Sequence, residues 1–344
     1  MIMLPRHPLE ALGLPVGLGS TGDRLLARVA VRHRAGYVLH DGHCTYNAQP
    51  APEFLHRGLD PLQRPLVGDF VEVEAGSPPH IVRVLPRRTL LVRAAAGETY
   101  ARQAMVANVD TALVLMGMDG DYNPRRVRRY LALIEGSGVR PLVVLTKADQ
   151  VSDANRRCRI LSEALAGEVP VYAINAKDPT AGQILAQWLL PGQTLVLVGS
   201  SGAGKSTLVN TLLGSTQQST GEVRARDSRG RHITTSRALL ALPGGACLID
   251  TPGMRELKLT GTENLAQFED IEALVAQCRF ADCGHVSEPG CAVQAALHNS
   301  ELDATRWQDY RKLTLERAQQ AAQFEEILRR KNRKPAGKRP RGRQ

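Results

Sequence analysis

The sequence predicts a multidomain α/β protein: an N-terminal OB-type β-barrel, a central P-loop domain, and a C-terminal helical domain built around a metal site. Three observations predict it. The pattern changes near residue 108 from short strands to strands alternating with helices. A G-x-x-x-x-G-K-S motif follows an apolar run at 199–206. Three of the six cysteines fall with a histidine inside the 14 residues 278–291.

The expected boundaries are 1–97 for the barrel, 98–258 for the P-loop domain, 259–330 for the helical domain and 331–344 for a basic tail. At 344 residues, two or three domains are expected. Pro and charged residues near the N-terminus argue against a signal peptide, and no run reaches the roughly 18 apolar residues of a membrane span. The expectation is a cytoplasmic protein without membrane contact.

The net charge of +10 is concentrated at one end. Residues 329–344 hold nine Lys or Arg and no acid, which leaves 35 basic residues against 34 acidic ones elsewhere. Such a tail suits the phosphates of a polyanion. Without aromatics it would supply affinity but little base reading.

In the barrel region, 28–32, 37–39, 69–74 and 80–85 read as strands bounded by Gly, Pro and Asp turns. The alternation places Val71 and Val73 in a core, with Glu72 and Glu74 facing water. Farther on, the run 109–116 has the composition of a buried parallel strand. Pro124 opens a helix to 135, and 141–145, 170–174, 194–198 and 245–249 are further strands. The last helix, 303–331, carries Trp307, Tyr310, Leu313, Ala321, Phe324 and Leu328 at helical spacing, a face for packing on its own domain.

Gly199, Ser200, Ser201, Gly202, Ala203, Gly204, Lys205 and Ser206, with Thr207, form the phosphate motif between a strand and a helix. Its glycines let backbone N–H groups converge on phosphate, Lys205 reaches the β- and γ-phosphates, and Ser206 ligates Mg²⁺. A P-loop alone leaves ATP open. Thr146-Lys147-Ala148-Asp149, after the strand 141–145, points to GTP, because a carboxylate at Asp149 accepts from guanine N1–H and the exocyclic amine. Adenine would turn a lone pair to that charge. The stem of Lys147 lies along the base, and the Ala176 backbone N–H is placed for guanine O6. Thr146 stands where Asn is more usual, a change expected to loosen the P-loop contact.

The motif order is permuted: Asp149 precedes Gly199, and Asp250-Thr-Pro-Gly253, the Mg²⁺- and γ-phosphate-sensing segment, comes last. A movement there would pass directly into the C-terminal domain. Met254 stands where many GTPases carry a water-orienting Gln, so a low intrinsic rate is expected. Thr234 or Thr235 supplies a Mg²⁺ ligand, and His232 is the candidate catalytic residue, orienting water when a partner orders its loop. A mobile surface side chain is the plainer reading of His232.

Cys278, Cys283, His285 and Cys291 form C-x4-C-x-H-x5-C. Three thiolates and an imidazole suit one structural Zn²⁺ with no open position. Cys44, Cys158 and Cys247 lie apart and fill core or surface positions.

Guanine motif, P-loop and DTPG in this order, with a barrel before and a Cys3His set after, resemble the ribosome small-subunit-dependent GTPase A family. Val67-Gly-Asp69, Leu85-Pro-Arg-Arg88 and Gly230-Arg-His232 resemble it too. Thr146 and Ile233 depart from its usual pattern. The resemblance implies a circularly permuted GTPase that binds the small ribosomal subunit and its rRNA late in maturation. It further implies hydrolysis of GTP to GDP stimulated by the subunit, then release; a monomer is expected. The alternative from another class is a nucleic-acid-binding module in which GTP is only regulatory.

Overall fold

The computed structural model describes residues 7–15, 17–19, 23–33, 35–56, 58–94, 102–200, 202–214, 237–250 and 268–332. Two compact units are present. One contains the described residues to 93 and from 103 to 250; the other contains those from 268 on, with 94 and 102.

In the first unit, β1 (Leu25–His33), β2 (Gly36–His40), β3 (Thr45–Pro50), β4 (Phe70–Glu74) and β5 (His80–Val84) run in the order β1-β2-β3-β5-β4, and β4 pairs back onto β1. That closes a five-stranded barrel and removes its sheet edges. Only β3 and β5 are parallel neighbours. A short helix α1 (Pro52–Leu55) follows β3. Val29, Leu39, Phe70, Val71, Val73 and Ile81 are all buried.

The outward placement of Glu72 is corrected by the structure. Its side chain is fully buried, with Arg83 Nε 2.9 Å from Oε2 and Arg24 Nη1 at 3.3 Å. Glu72 does point away from Val71 and Val73, but two half-exposed arginines cover it. A buried carboxylate is tolerated when paired and hydrogen-bonded in this way. Glu74 is exposed as expected.

After the barrel, β6 (Leu90–Ala94) and β7 (Arg102–Ala107) pair with each other. The second sheet comprises β8 (Thr111–Gly117), β9 (Arg140–Thr146), β10 (Val171–Ala173), β11 (Thr194–Gly199), β12 (Ala238–Ala241) and β13 (Cys247–Asp250). Its order is β10-β9-β8-β11-β13-β12, parallel except for β12 against β13. α2 (Pro124–Ile134), α3 (Ala154–Ala164), α4 (Thr180–Ile184) and α5 (Lys205–Leu213) connect these strands. Every residue of β8 and β11 is buried, as strands covered on both faces must be. One bridge, Val31 to Ala238, joins this sheet to the barrel.

The two sequence motifs of the barrel meet at this joint. Gly68 has φ +94°, and a Cβ there would lie 2.1 Å from the Ala107 carbonyl oxygen, so only glycine fits. Its own carbonyl accepts from Arg28 Nε at 3.2 Å and Asn108 Nδ2 at 3.1 Å. Asp69 takes Arg87 through both oxygens at 2.7 Å, while Arg88 N–H donates to Asn108 Oδ1 at 2.9 Å. Arg28 is wholly buried, and burial lowers its guanidinium to about 10. It lies 4.8 Å over the Phe70 ring and donates to the carbonyls of Leu12, Gly68 and Asn108.

The second unit packs α6 (Glu269–Ala276), α7 (Ala292–His298) and α8 (Ala304–Asn332) around Phe268, Ile271, Val293, Ala296, Leu302, Trp307, Tyr310 and Leu313. Trp307, Tyr310 and Leu313 thus do face the core of their own domain. Of the described helices, none is long and apolar enough to cross a membrane.

Candidate functional site

The parallel strands place the nucleotide motifs together, because β9, β8 and β11 are neighbours and end at one side of the sheet. Ligands of open α/β sheets bind in that crevice, beyond the carboxyl ends of the strands. Gly199 ends β11 in register with Leu115 of β8, and a Cβ on it would approach the Leu115 carbonyl to 2.4 Å. The chain then turns through Gly202 and Gly204, both at φ +84°, into α5. Lys205 starts that helix; its ammonium donates to the carbonyls of Gly199 at 2.8 Å and Ser200 at 2.6 Å, folded over the loop it serves. Ser206 and Thr207 are half-buried in the first turn. The orphan N–H groups of such a turn can donate to an anion.

Thr146 closes the gap between guanine motif and P-loop. It is fully buried, and its hydroxyl donates to the Ala203 carbonyl at 2.9 Å. Thr146, standing where Asn is more usual, thus keeps one direct bond to the P-loop. Gly204 makes the approach possible, since a Cβ there would lie 3.3 Å from Thr146 Oγ1.

Lys147 sits in the left-handed region at φ +59°, which costs a non-glycine residue about 1–2 kcal/mol. Its surroundings hold it there: Gln150 N–H donates to its carbonyl at 3.0 Å, and its ammonium lies 2.5 Å from Asp119 Oδ2. Asp149, in the short turn Ala148–Gln150, is exposed. Two bonds bring in the second base loop. Ala148 N–H donates to Ile174 O at 3.2 Å, and Thr211 of α5 donates through Oγ1 to Ala176 O at 2.7 Å. Ala176 is buried and Lys177 N–H is taken by Asn175 Oδ1 at 3.0 Å, so the loop is tied to both neighbouring motifs.

Asp250 ends β13 and is buried, in a strand parallel to the P-loop strand β11. Ser201, His232, Thr234, Thr235 and Gly253 lie outside the described residues. Sequence reasoning passed over Asp119 and Asp121, which touch Lys147 and Ser200 respectively. Their position just beyond the carboxyl end of a buried parallel strand was the available clue.

In the second unit, Cys278, Cys283, His285 and Cys291 each direct a ligand atom to one point, and all four atoms lie within 4.8 Å of one another. Cys278 Sγ is 3.5 Å from His285 Nδ1 and 3.9 Å from Cys291 Sγ, and Cys291 Sγ is 3.6 Å from His285 Nδ1. These three separations suit edges of a tetrahedron around an ion that would be held at about 2.0–2.3 Å. The loop is held from several sides. Glu288 accepts from the N–H groups of Gly284 at 2.9 Å, Val286 at 2.8 Å and Ser287 at 3.0 Å, and they hold its carboxyl down at about 2. Gln294 Nε2 donates to His285 O at 2.6 Å, and Trp307 meets the His285 ring edge-on at 5.4 Å. Burial pushes the Cys278 thiol up, but the N–H groups of Val293 and Ala292 at the start of α7 outweigh it and leave the group below its usual range. The set can hold a metal ion. Cys44 is exposed, Cys158 half-buried and Cys247 buried, away from this cluster.

Comparison with known proteins agrees with this geometry. The family model described as RsgA GTPase matches residues 84–260, and the one described as 50S ribosome-binding GTPase matches residues 194–331. Over 320 residues the chain is 52% identical to the small ribosomal subunit biogenesis GTPase RsgA of Xanthomonas axonopodis pv. citri, covering 92% of this chain and 87% of that protein. Identity to the protein of the same name from Xanthomonas oryzae pv. oryzae is 51% over 340 residues, covering 98% and 93%. Among solved structures, YjeQ from Thermotoga maritima superposes with a TM-score of 0.62 at 26% identity, covering 86% of this chain and 99% of that one. YloQ, described as a circularly permuted GTPase, superposes with a TM-score of 0.56 at 21% identity over 91% and 97%, a likeness of fold.

Proposed function

The chain belongs to the RsgA GTPase family, and on that premise we propose that it is a GTP hydrolase serving biogenesis of the small ribosomal subunit. The observation that carries the chemistry is the direct bond from Thr146 to Ala203, which ties the guanine motif to the P-loop across a permuted chain. In this reading Asp149 accepts from guanine N1–H and the amine, Ala176 N–H donates to O6, and the stem of Lys147 lines the base. The amides of 199–207 and Lys205 receive the phosphates. Mg²⁺, which comes with GTP, supplies charge neutralisation at the β- and γ-phosphates. Ser206, Asp250 and one of Thr234 and Thr235 would hold it, while Gly253 follows the γ-phosphate and His232 orients water. Intrinsic turnover is slow, because Met254 cannot orient water, and the subunit stimulates it.

We further infer that the cluster of Cys278, Cys283, His285 and Cys291 holds one structural Zn²⁺. The chemistry of the donor set and its spacing support this, since four filled positions leave no room for a substrate. The barrel of 1–97 and the helical domain of 259–330 flank the GTPase domain of 98–258 and would meet rRNA, with the basic tail of 331–344 adding phosphate affinity. The protein would act as a cytoplasmic monomer.

The test is turnover of GTP, with ATP as control, alone and with purified small or large ribosomal subunits. Stimulation of GTP turnover by small subunits alone is expected. Stimulation by large subunits instead would move the target, and equal use of ATP would remove the assigned role of Asp149.

A further inference from the structure

Residues 118–123, between β8 and α2, carry two carboxylates, and each meets a different nucleotide motif. Asp119 Oδ2 lies 2.5 Å from Lys147 Nζ, and Asp121 Oδ2 lies 2.5 Å from Ser200 Oγ. Neither carboxylate is left as bare negative charge beside a phosphate site, because Lys147 balances the first and Arg126 pairs with the second. The segment itself is well braced. Tyr122 N–H donates to Asp119 O at 3.0 Å, and Asn123 caps α2 by accepting from Arg126 N–H at 3.2 Å. Met118 N–H donates to Thr146 O at 2.9 Å, while Arg157 donates to Met118 O at 2.6 Å and lies 5.2 Å over the Tyr122 ring.

We propose that Asp119 and Asp121 are positioning residues that lock the guanine motif and the P-loop into one geometry, Asp119 by fixing the Lys147 side chain and Asp121 by fixing the P-loop at Ser200. This rests on the guanine reading given above and deepens it. A free lysine side chain samples many rotamers, and a base sliding along its stem would have to order it on binding. Asp119 removes that freedom beforehand. At the other motif, a hydroxyl bonded to a carboxylate makes a short, charge-assisted bond, so Ser200 is held more firmly than by a neutral partner. Because both acids sit on one short segment, the two motifs cannot shift independently.

The experiment measures mant-GDP affinity of the full chain for wild type, Asp119→Ala, Asp119→Asn, Lys147→Met and the Asp119→Ala/Lys147→Met double variant, with thermal midpoints alongside. Asp119→Ala is expected to weaken binding about tenfold, on the scale of one lysine side chain ordered at binding. Asp119→Asn, whose amide oxygen still accepts from the ammonium, recovers part of that loss, and the double variant binds no more weakly than Lys147→Met alone. Ser200→Ala and Asp121→Ala should likewise not add to one another. Wild-type affinity in Asp119→Ala overturns the brace, as do losses of Asp119→Ala and Lys147→Met that multiply. A wild-type chain that fails to bind mant-GDP overturns the guanine reading and the brace with it.

Discussion

At the ends of β8, β9 and β11 the nucleotide loops hang from strands that are buried where the loops begin, and Thr146, Asp119 and Thr211 tie each loop to the next. The Cys/His loop of the second unit has a thinner support. Between Cys278 and Cys291, Asp282, Gly284, Val286 and Ser287 are exposed, and no regular strand or helix carries the ligands until α7 begins. One site is placed by the fold around it, while the other would be completed by an ion held between its own loop residues. Removing the ligand should therefore spare the first and unmake the second.

The largest effect expected from this contrast is on the metal side. Cys283→Ser, or exposure to a strong zinc chelator, should empty the cluster and unfold the second unit, because binding free energy at such sites is folding free energy, on the order of 10 kcal/mol. Metal content by mass spectrometry and hydrogen exchange over 268–332 would report it. Guanine-nucleotide affinity should stay within about threefold of wild type. A chain whose second unit keeps its protection without metal would show that Phe268, Ile271 and Trp307 suffice as a core.

The converse variant attacks the nucleotide side. Lys205→Ala removes the cation nearest the P-loop carbonyls and should cost about 3 kcal/mol of GTP binding, roughly a hundredfold, as charge-assisted bonds to phosphate are lost. Metal content and exchange protection in the second unit should not change. If the chain uses hydrolysis as a release timer, this variant also accumulates on its subunit; normal release would favour a regulatory role for the nucleotide.

How much of this was legible beforehand follows the same divide between local and distant causes. The P-loop could be read because its glycines encode a backbone path within eight residues, and the Cys/His set because its ligands lie close in sequence. β3 was passed over: Thr45-Tyr-Asn-Ala-Gln-Pro50 does alternate, with Tyr46 half-buried and Ala48 buried, but it has no β-branched apolar residue and becomes a strand through its partners β2 and β5. Glu72 read as outward because alternation reports only which face a residue occupies, not that Arg24 and Arg83 will cover that face. Asp119 and Asp121 meet partners 28 and 79 residues away, which no local pattern carries. Val67-Gly-Asp69 and Leu85-Pro-Arg-Arg88 were recognisable as motifs, yet their joining of barrel to nucleotide sheet needed the fold.

A finer cut is Thr146→Val, which keeps the shape and deletes the bond to Ala203. One buried hydrogen bond contributes about 1 kcal/mol, and the Ala203 carbonyl would lose a partner, so GTP affinity should fall about five- to tenfold. Preference for GTP over ATP should persist, since the proposed base contact is that of Asp149. Loss of the preference would mean that Thr146 also sets the position of the base-reading turn.

The smallest expected effect tests whether the second unit gains anything from its surface charges. Arg306 of α8 meets Asp270 of α6 through both guanidinium nitrogens, with the Asp270 side chain 54% exposed. Fork-to-fork geometry favours the pair, but solvent screening limits an exposed ion pair to about 0.2–1 kcal/mol. Asp270→Asn should then lower the thermal midpoint of the metal-loaded chain only slightly, and 1 M salt should nearly erase the difference. Arg306 also lies 5.7 Å over the buried Phe268 ring, a contact that Asp270→Asn leaves in place. Arg306→Ala should therefore cost more than Asp270→Asn, and the excess should survive high salt. Equal losses in the two variants would assign the whole effect to the ion pair and leave the metal as the main support of this unit.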